Sequence, residues 1–293
     1  MKNRKIVNYG KSVRAKLLLN YKGKDYMYIL TRFFNERLLY RLSVSKYRDN
    51  FLLKGGSLLY AMEGLDTRPT VDVDFMADKI NRDKEHLKEV FKEILSMPCV
   101  EDGVTFDIEN MTDEPITLEK KYPGTRFFVD AHMDSIVKKM TIDIGFGDVV
   151  TPCPVSIDFP LLLKEIPEIS IKAYSIETVI AEKFHAMIDR DVANSRMKDF
   201  FDCYHILTTQ PHDKQVLHDA VFATFENRGL MFNPDLQLFT DSFFNDEKRN
   251  SLWNKFLKDI KWKDNITFEN VMSVITDRLK GFLDEYWTSK KIE

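Results

Sequence analysis

Residues 70–75 read TVDVDF, and no other stretch limits the chain's possible folds as tightly. Strict alternation with β-branched residues predicts a strand. Along a strand successive side chains point to opposite faces, so Thr70, Asp72 and Asp74 share one face while Val73 and Phe75 share the other. Two carboxylates about 7 Å apart on one strand face are costly unless they meet water or a cation. A pair of hard divalent cations can be shared by such carboxylates. Magnesium suits the arrangement, because it keeps waters and takes one or two protein carboxylates alongside substrate phosphates.

Just upstream, residues 54–57 read KGGS, in a chain that has only 11 glycines in 293 residues. Gly55 and Gly56 can bring backbone N–H groups close to an anion. Ser57 adds a hydroxyl and is placed to cap the short helix SLLYAMEG. Taken singly, the pair of aspartates reads as a solvated strand face and the glycines as a flexible turn. Together they form a phosphate-binding turn beside a two-carboxylate metal site, which is what phosphoryl or nucleotidyl transfer requires.

The surrounding pattern is that of an α+β chain. DYMYILTRFFNERLLYRLSVS has apolar residues at helical spacing, with Arg32, Arg37 and Arg41 falling largely on the other side. FLLKGG predicts a short strand, and NRDKEHLKEVFKEILSM an amphipathic helix with Leu87, Val90, Phe91, Ile94 and Leu95 on one stripe. VTFDIENM, TRFFVDAHM and KKMTIDIGFGDVV follow as strands, separated by the turn signals EDG, DEP and YPG. After the proline-rich TPCPVSIDFP and one more strand the chain turns helical to its end. The expected division is a domain over 1–165, with a basic helical N-terminal extension, and a mainly helical domain over 166–293.

Charge and cysteine content narrow the setting. Residues 1–48 hold 13 Lys and Arg against Asp25 and Glu36, a balance of +11 that leaves −14 on the remainder. Such a split suggests a polyanion partner for the N-terminal part, with a solvated helical face as the plain alternative. Cys99, Cys153 and Cys203 lie far apart with no spaced histidine partners, which fits a reducing cytoplasm. The basic start has only a short apolar run and does not read as a secretory signal, and no apolar run is long enough to span a membrane.

A second group of residues lies in the helical half. In SIETVIAEKFHAMIDR, Lys183 sits at the edge of an apolar helix face; it either snorkels to solvent or meets a partner. The next helix carries Arg196, Lys198, Asp199 and Asp202, an ion-pair network or one wall of a nucleotide pocket. His185 and His205 read as packing residues. KGGSLLY…RPTVDVDF together with AEKFHAMIDR…NSRMKDFFD resembles the AbiEii/AbiGii toxin family of bacterial nucleotidyltransferases. That family belongs to abortive-infection and toxin–antitoxin systems and to the DNA polymerase beta-like superfamily.

The resemblance implies a polymerase beta-like core with a mixed sheet and flanking helices, followed by a helical C-terminal domain. It implies NMP transfer from an NTP, with CTP or another pyrimidine among the candidates, to the 3′ end of tRNA, blocking translation as a phage defence. A cognate antitoxin encoded elsewhere would be a partner. Carried over by position, Asp72 and Asp74 hold Mg²⁺, and Asp143 in KKMTIDIGF is a third carboxylate, as metal ligand or as base for the attacking hydroxyl. Gly55, Gly56, Ser57, Thr70 and Lys183 contact the nucleotide, and Asp199 is the carboxylate of R-x-K-D, with Asp202 as its rival. A protein or small-molecule acceptor, or a non-catalytic NTP-binding module, are the competing readings. Tyr122 among Lys120, Lys121 and Arg126 is a candidate stacking platform, or else a solvated loop.

Overall fold

The computed structural model describes residues 9–116 and 124–292, which divide into two compact units. The first runs to Gly147 and resumes over Val155–Ala173; the second holds Asp148–Pro154 and the chain from Tyr174 onward. Tyr122, Lys120 and Lys121 lie outside the described residues.

The first unit begins with α1 (Tyr9–Asn20) and α2 (Tyr26–Val44). Then come β1 (Phe51–Lys54), α3 (Gly55–Glu63), β2 (Asp72–Ala77) and α4 (Lys84–Leu95). The strands β3 (Thr105–Phe106), β4 (Thr112–Ile116), β5 (Gly124–Met133), β6 (Ile136–Phe146), β7 (Val155–Asp158) and β8 (Ser170–Ala173) complete it. Among the described residues the strands form one sheet in the order β3-β5-β6-β2-β1-β8-β7, with β4 also paired to β5. β2 runs parallel to β6 and β1 parallel to β8, while the remaining pairs are antiparallel, so the sheet is mixed.

The alternation of TVDVDF is realised on β2. Val73 and Phe75 are fully buried, whereas Asp72 and Asp74 are half-exposed on the opposite face. Behind the sheet the rings of Phe51, Phe75, Phe91 and Phe127 pack against one another in T-shaped and tilted pairs, with Phe51 and Phe91 centroids 5.0 Å apart. These rings tie β1, β2 and β5 to α4. The α4 stripe of Leu87, Val90, Phe91, Ile94 and Leu95 is buried as its spacing predicts, and Asp83 caps the helix by accepting from the His86 N–H.

Three local expectations are corrected. The acidic DEP stretch is not a turn but the middle of β4; Pro115 is tolerated there because β4, among the described residues, pairs with β5 alone and is an edge strand. Helix α3 starts at Gly55 with Lys54 at the capping position, so Ser57 is inside the helix and does not cap it. Helix α2 is buried on nearly every side, and its arginines do not face solvent. Arg41 donates to Asp102 Oδ2 at 2.8 Å and to the Val104 carbonyl at 2.7 Å. Arg37 pairs with Glu36 at 2.7 Å, and Arg32 lies over the Tyr60 ring at 3.9 Å. Long side chains with internal partners can be buried in this way, because every charge that leaves water gains a partner or an aromatic face.

The second unit consists of α5 (Ile176–Arg190), α6 (Met197–Thr209), α7 (Lys214–Arg228), α8 (Asp241–Phe244), α9 (Glu247–Asp259) and α10 (Phe268–Ile292). Along α10 the residues Phe268, Val271, Met272, Ile275, Leu279, Phe282, Leu283 and Tyr286 are buried, a 3–4 spacing that keeps one stripe against the other helices. Phe200, Phe201, Trp253 and Phe268 form its aromatic centre. His185 lies against Phe225, and His205 stacks on Phe201 with an interplanar angle of 11°.

Candidate active site

The two glycines and the two aspartates are brought together because β1 and β2 are antiparallel neighbours with Lys54 opposite Asp74. The chain leaves β1 and enters α3 directly beside the Asp74 carboxylate. Gly55 has a φ of +65°, and a Cβ there would overlap the Asp74 side chain. A Cβ on Gly56 would come within 2.7 Å of both Cβ and Oγ1 of Thr70. Both glycines are therefore required by close approach, and the positive end of α3 is set against an acidic group.

Thr70 and Ser57 hold the strand rather than facing outward. The Thr70 hydroxyl donates to Asp72 Oδ1 at 2.6 Å, fixing that carboxylate. The buried Ser57 hydroxyl donates to the Asp72 carbonyl at 3.1 Å and ties α3 to β2.

Asp143 joins this group through strand pairing. On the parallel pair β2–β6, Asp74 stands opposite Asp143 and Asp72 opposite Thr141. The ligand oxygens of Asp72, Asp74 and Asp143 all lie within 4.8 Å of one another. All three carboxylates are half-buried, and all are hard oxygen donors. They stand on rigid strands beside a glycine turn with no room for side chains. Such a donor set suits a hard divalent cation of the magnesium type.

One functional neighbour was not read from the sequence in this role. Arg126 on β5 is opposite Asp143, donating from Nε to Oδ1 and from Nη2 to Oδ2, each at 2.7 Å. It also donates to Glu114 on β4 at 3.3 Å. Hydrogen bonding to Asp143 holds the Arg126 guanidinium above its ordinary pKa. One row across five strands thus reads Glu114, Arg126, Asp143, Asp74, Lys54. The signal was present in the alternation of TRFFVDAHM, where a lone arginine occupies the face opposite Phe127 and Val129.

The second unit holds its own cluster. Lys183 on α5 donates to Asp202 Oδ2 at 2.7 Å and to Asp199 Oδ1 at 3.4 Å. Arg196 donates to Asp199 Oδ2 at 2.6 Å. Lys183 therefore meets partners rather than snorkelling. Burial acts to raise the Asp199 carboxyl, but the Lys183 and Arg196 cations outweigh it and hold it below the ordinary carboxylate range. Asp202, at 1% side-chain exposure, is the deeper and closer partner of Lys183.

Comparison with known proteins fits this geometry. The profile of the nucleotidyl transferase AbiEii toxin family, from type IV toxin–antitoxin systems, matches residues 37–273. The chain belongs to this family. Its match runs from within α2 to the first turns of α10, so it takes in both carboxylate clusters. Among solved structures the chain is similar to a candidate nucleotidyltransferase from H. pylori, at 18% identity and a TM-score of 0.47, covering 90% of this chain and 97% of that one. It is also similar to JHP933 from Helicobacter pylori, at 17% identity and a TM-score of 0.45, covering 88% and 95%. No curated protein matches the chain. As an AbiEii-family member it is a nucleotidyltransferase of the toxin–antitoxin type, for which an NTP substrate and an antitoxin partner follow. No described helix is long and apolar enough to cross a membrane.

Proposed function

We propose that this AbiEii-family chain is a Mg²⁺-dependent toxin that transfers a nucleotide from an NTP to the 3′ end of tRNA. The observation that supports it most is the convergence of Asp72, Asp74 and Asp143 within 4.8 Å, against the glycines that open α3. In this reading Asp72 and Asp74 hold the cation. Such an ion supplies positive charge to the triphosphate and to the leaving pyrophosphate. Thr70 keeps Asp72 in the orientation that ligation needs, and the two glycines let the N-terminal end of α3, whose backbone N–H groups favour an anion, come up against Asp74 and Thr70. Asp143, with both oxygens engaged by Arg126, serves as a third ligand and not as the proton acceptor. Each of its oxygens keeps a further lone pair for a cation. Lys183 supplies a cation to the nucleotide, and Asp199 and Asp202 set its position.

Support for RNA as acceptor comes from the family. The basic N-terminal segment adds less than its composition implies, since Arg32, Arg37 and Arg41 are buried. Arg14 and Lys16 also have acidic partners, Asp134 and Glu165, although both pairs are near the surface. The proposal includes arrest of translation as a defence against phage, with a pyrimidine NTP such as CTP as one candidate.

The deciding experiment incubates the purified protein with total tRNA, Mg²⁺ and each labelled NTP in turn. Labelled tRNA is expected with at least one nucleotide, and no label with Asp72→Ala or with EDTA. If protein rather than RNA takes up the label, the acceptor assignment fails. If Asp72→Ala still labels tRNA, the site assignment fails.

A further inference from the structure

The carboxylate triad carries more negative charge than a single divalent cation neutralises, and the sheet provides a cation of its own beside it. Arg126 uses the planar fork of its guanidinium on both oxygens of Asp143, at 2.7 Å each. On the same row Lys54 stands opposite Asp74 on the other flank. Asp72 differs from both: the strand residue opposite it is the neutral Thr141, and its carboxylate accepts from the neutral Thr70 hydroxyl. The negative charge is therefore least compensated on the Asp72 side and most compensated at Asp143.

Resting on the metal-dependent reading above, we propose that Arg126 is a positioning residue that limits the free protein to one divalent cation, seated toward Asp72. A second cation, on the Asp143 side, enters only with the triphosphate. A cation there shares Asp143 with the guanidinium, so it needs anionic oxygens that the protein does not provide, and phosphate oxygens provide them. The consequence is order: the site stays below full metal load until nucleotide arrives, and Asp143 stays in one orientation meanwhile. Arg126 is itself steadied from the far side by Glu114, and its removal leaves Asp143, at 14% exposure, as a partly buried carboxylate without its cation.

The test counts bound Mn²⁺ on the purified full chain by electron paramagnetic resonance of the free ion, with and without a non-hydrolysable NTP analogue. Wild type is expected to bind one Mn²⁺ alone and two with the analogue. Arg126→Ala is expected to bind two without it, or to bind the first about tenfold more tightly. Arg126→Lys, which keeps the charge but loses the fork, is expected to return the count to one. Glu114→Ala is expected to titrate as wild type does. If Arg126→Ala is poorly folded by circular dichroism, Arg126→Gln puts the same question with a neutral side chain of similar length. Identical Mn²⁺ counts and affinities for wild type and the neutral variants would overturn the role of Arg126 while leaving the metal site intact. A wild type that binds no Mn²⁺ with or without analogue, or an Asp72→Ala variant that binds as wild type does, would instead remove the metal-dependent reading and this inference with it.

Discussion

Asp74 on β2 and Asp143 on β6 face each other across a parallel strand pair, two acids in one rung of a sheet whose other face is packed with phenylalanine. Like charges about 5 Å apart repel by roughly 3 kcal/mol at an effective dielectric near 20, less whatever Arg126 and Lys54 offset. A site that keeps such a pair is built for an external cation. Asp74→Asn is therefore predicted to unfold at the same or a higher Tm than wild type in EDTA, and to lose nucleotide transfer. MgCl₂ should raise the Tm of wild type and leave that of the variant unmoved, as read by differential scanning fluorimetry. A variant that gains stability from MgCl₂ as wild type does would argue against Asp74 as a ligand.

Gly56 is predicted to resist even the smallest substitution. An alanine Cβ would meet Thr70 at 2.7 Å, and Thr70 is the group that fixes Asp72. Gly56→Ala should thus reduce transfer at saturating NTP by at least about tenfold, since misplacing a ligand by an ångström is costly. Gly281→Ala is the control, because its Cβ would meet nothing within 4 Å and its φ is not positive. Equal activity losses in the two variants would point to general destabilisation.

The sequence made the local site legible and the long-range part illegible. TVDVDF showed its two faces because one is core and the other polar, and a period of two survives any tertiary context. The stripe of α4 was legible for the same reason. The α2 arginines were misread because burial of Arg41 depends on Asp102, 61 residues away, and helical periodicity sees only the near side. TDEPI was misread because proline and acids signal a turn unless the strand is an edge, and edges are a property of the finished sheet. The pairing of Asp74 with Asp143, and of Asp143 with Arg126, depends on strand order and register, which no local pattern encodes.

The three cysteines should separate sharply by reactivity. Burial pushes the Cys203 thiol up to about 12, and burial also raises that of Cys99. Cys153 is exposed. Since the thiolate is the reactive form, a stoichiometric thiol reagent at pH 7.5 should label one cysteine quickly in the native protein and all three in denaturant. Cys153→Ser should abolish the fast phase, and persistence of that phase would mean that Cys99 or Cys203 becomes accessible in the native state.

Lys183 is predicted to be a stability determinant of the second unit as well as a functional candidate. It holds Asp202 at 2.7 Å and Asp199 at 3.4 Å, with those carboxylates at 1% and 6% exposure. Removing one partner of a buried pair leaves uncompensated charge, at a cost of about 3–5 kcal/mol. Lys183→Met should therefore lower the Tm by several degrees or more. The double variant Lys183→Met with Asp202→Leu should recover part of that loss while remaining inactive. Recovery of activity along with stability would limit Lys183 to a structural role.

Glu36 gives the first unit a pH dependence of defined sign. Burial pushes its carboxyl up to about 7, against the opposing pull of Arg37 and the Leu162 N–H, which donates to Oε2 at 2.8 Å. The folded chain thus holds this proton more tightly than the unfolded chain, whose glutamate titrates near its ordinary value. The contribution is fully present below about pH 4.5 and is lost as pH rises through about 7. The interval, about 2.5 pH units, corresponds to roughly 3 kcal/mol. Glu36→Gln keeps an acceptor for only one of the two donors, Arg37 and the Leu162 N–H, because an NH2 group replaces the other oxygen. It does not titrate, so from a lower starting point its stability relative to wild type should improve steadily between pH 5 and pH 8. Urea unfolding at several pH values measures the difference. A difference that stays flat across that range would show that Arg37 keeps Glu36 ionised throughout, and that the buried pair acts as a fixed charge pair with no titrating acid in it.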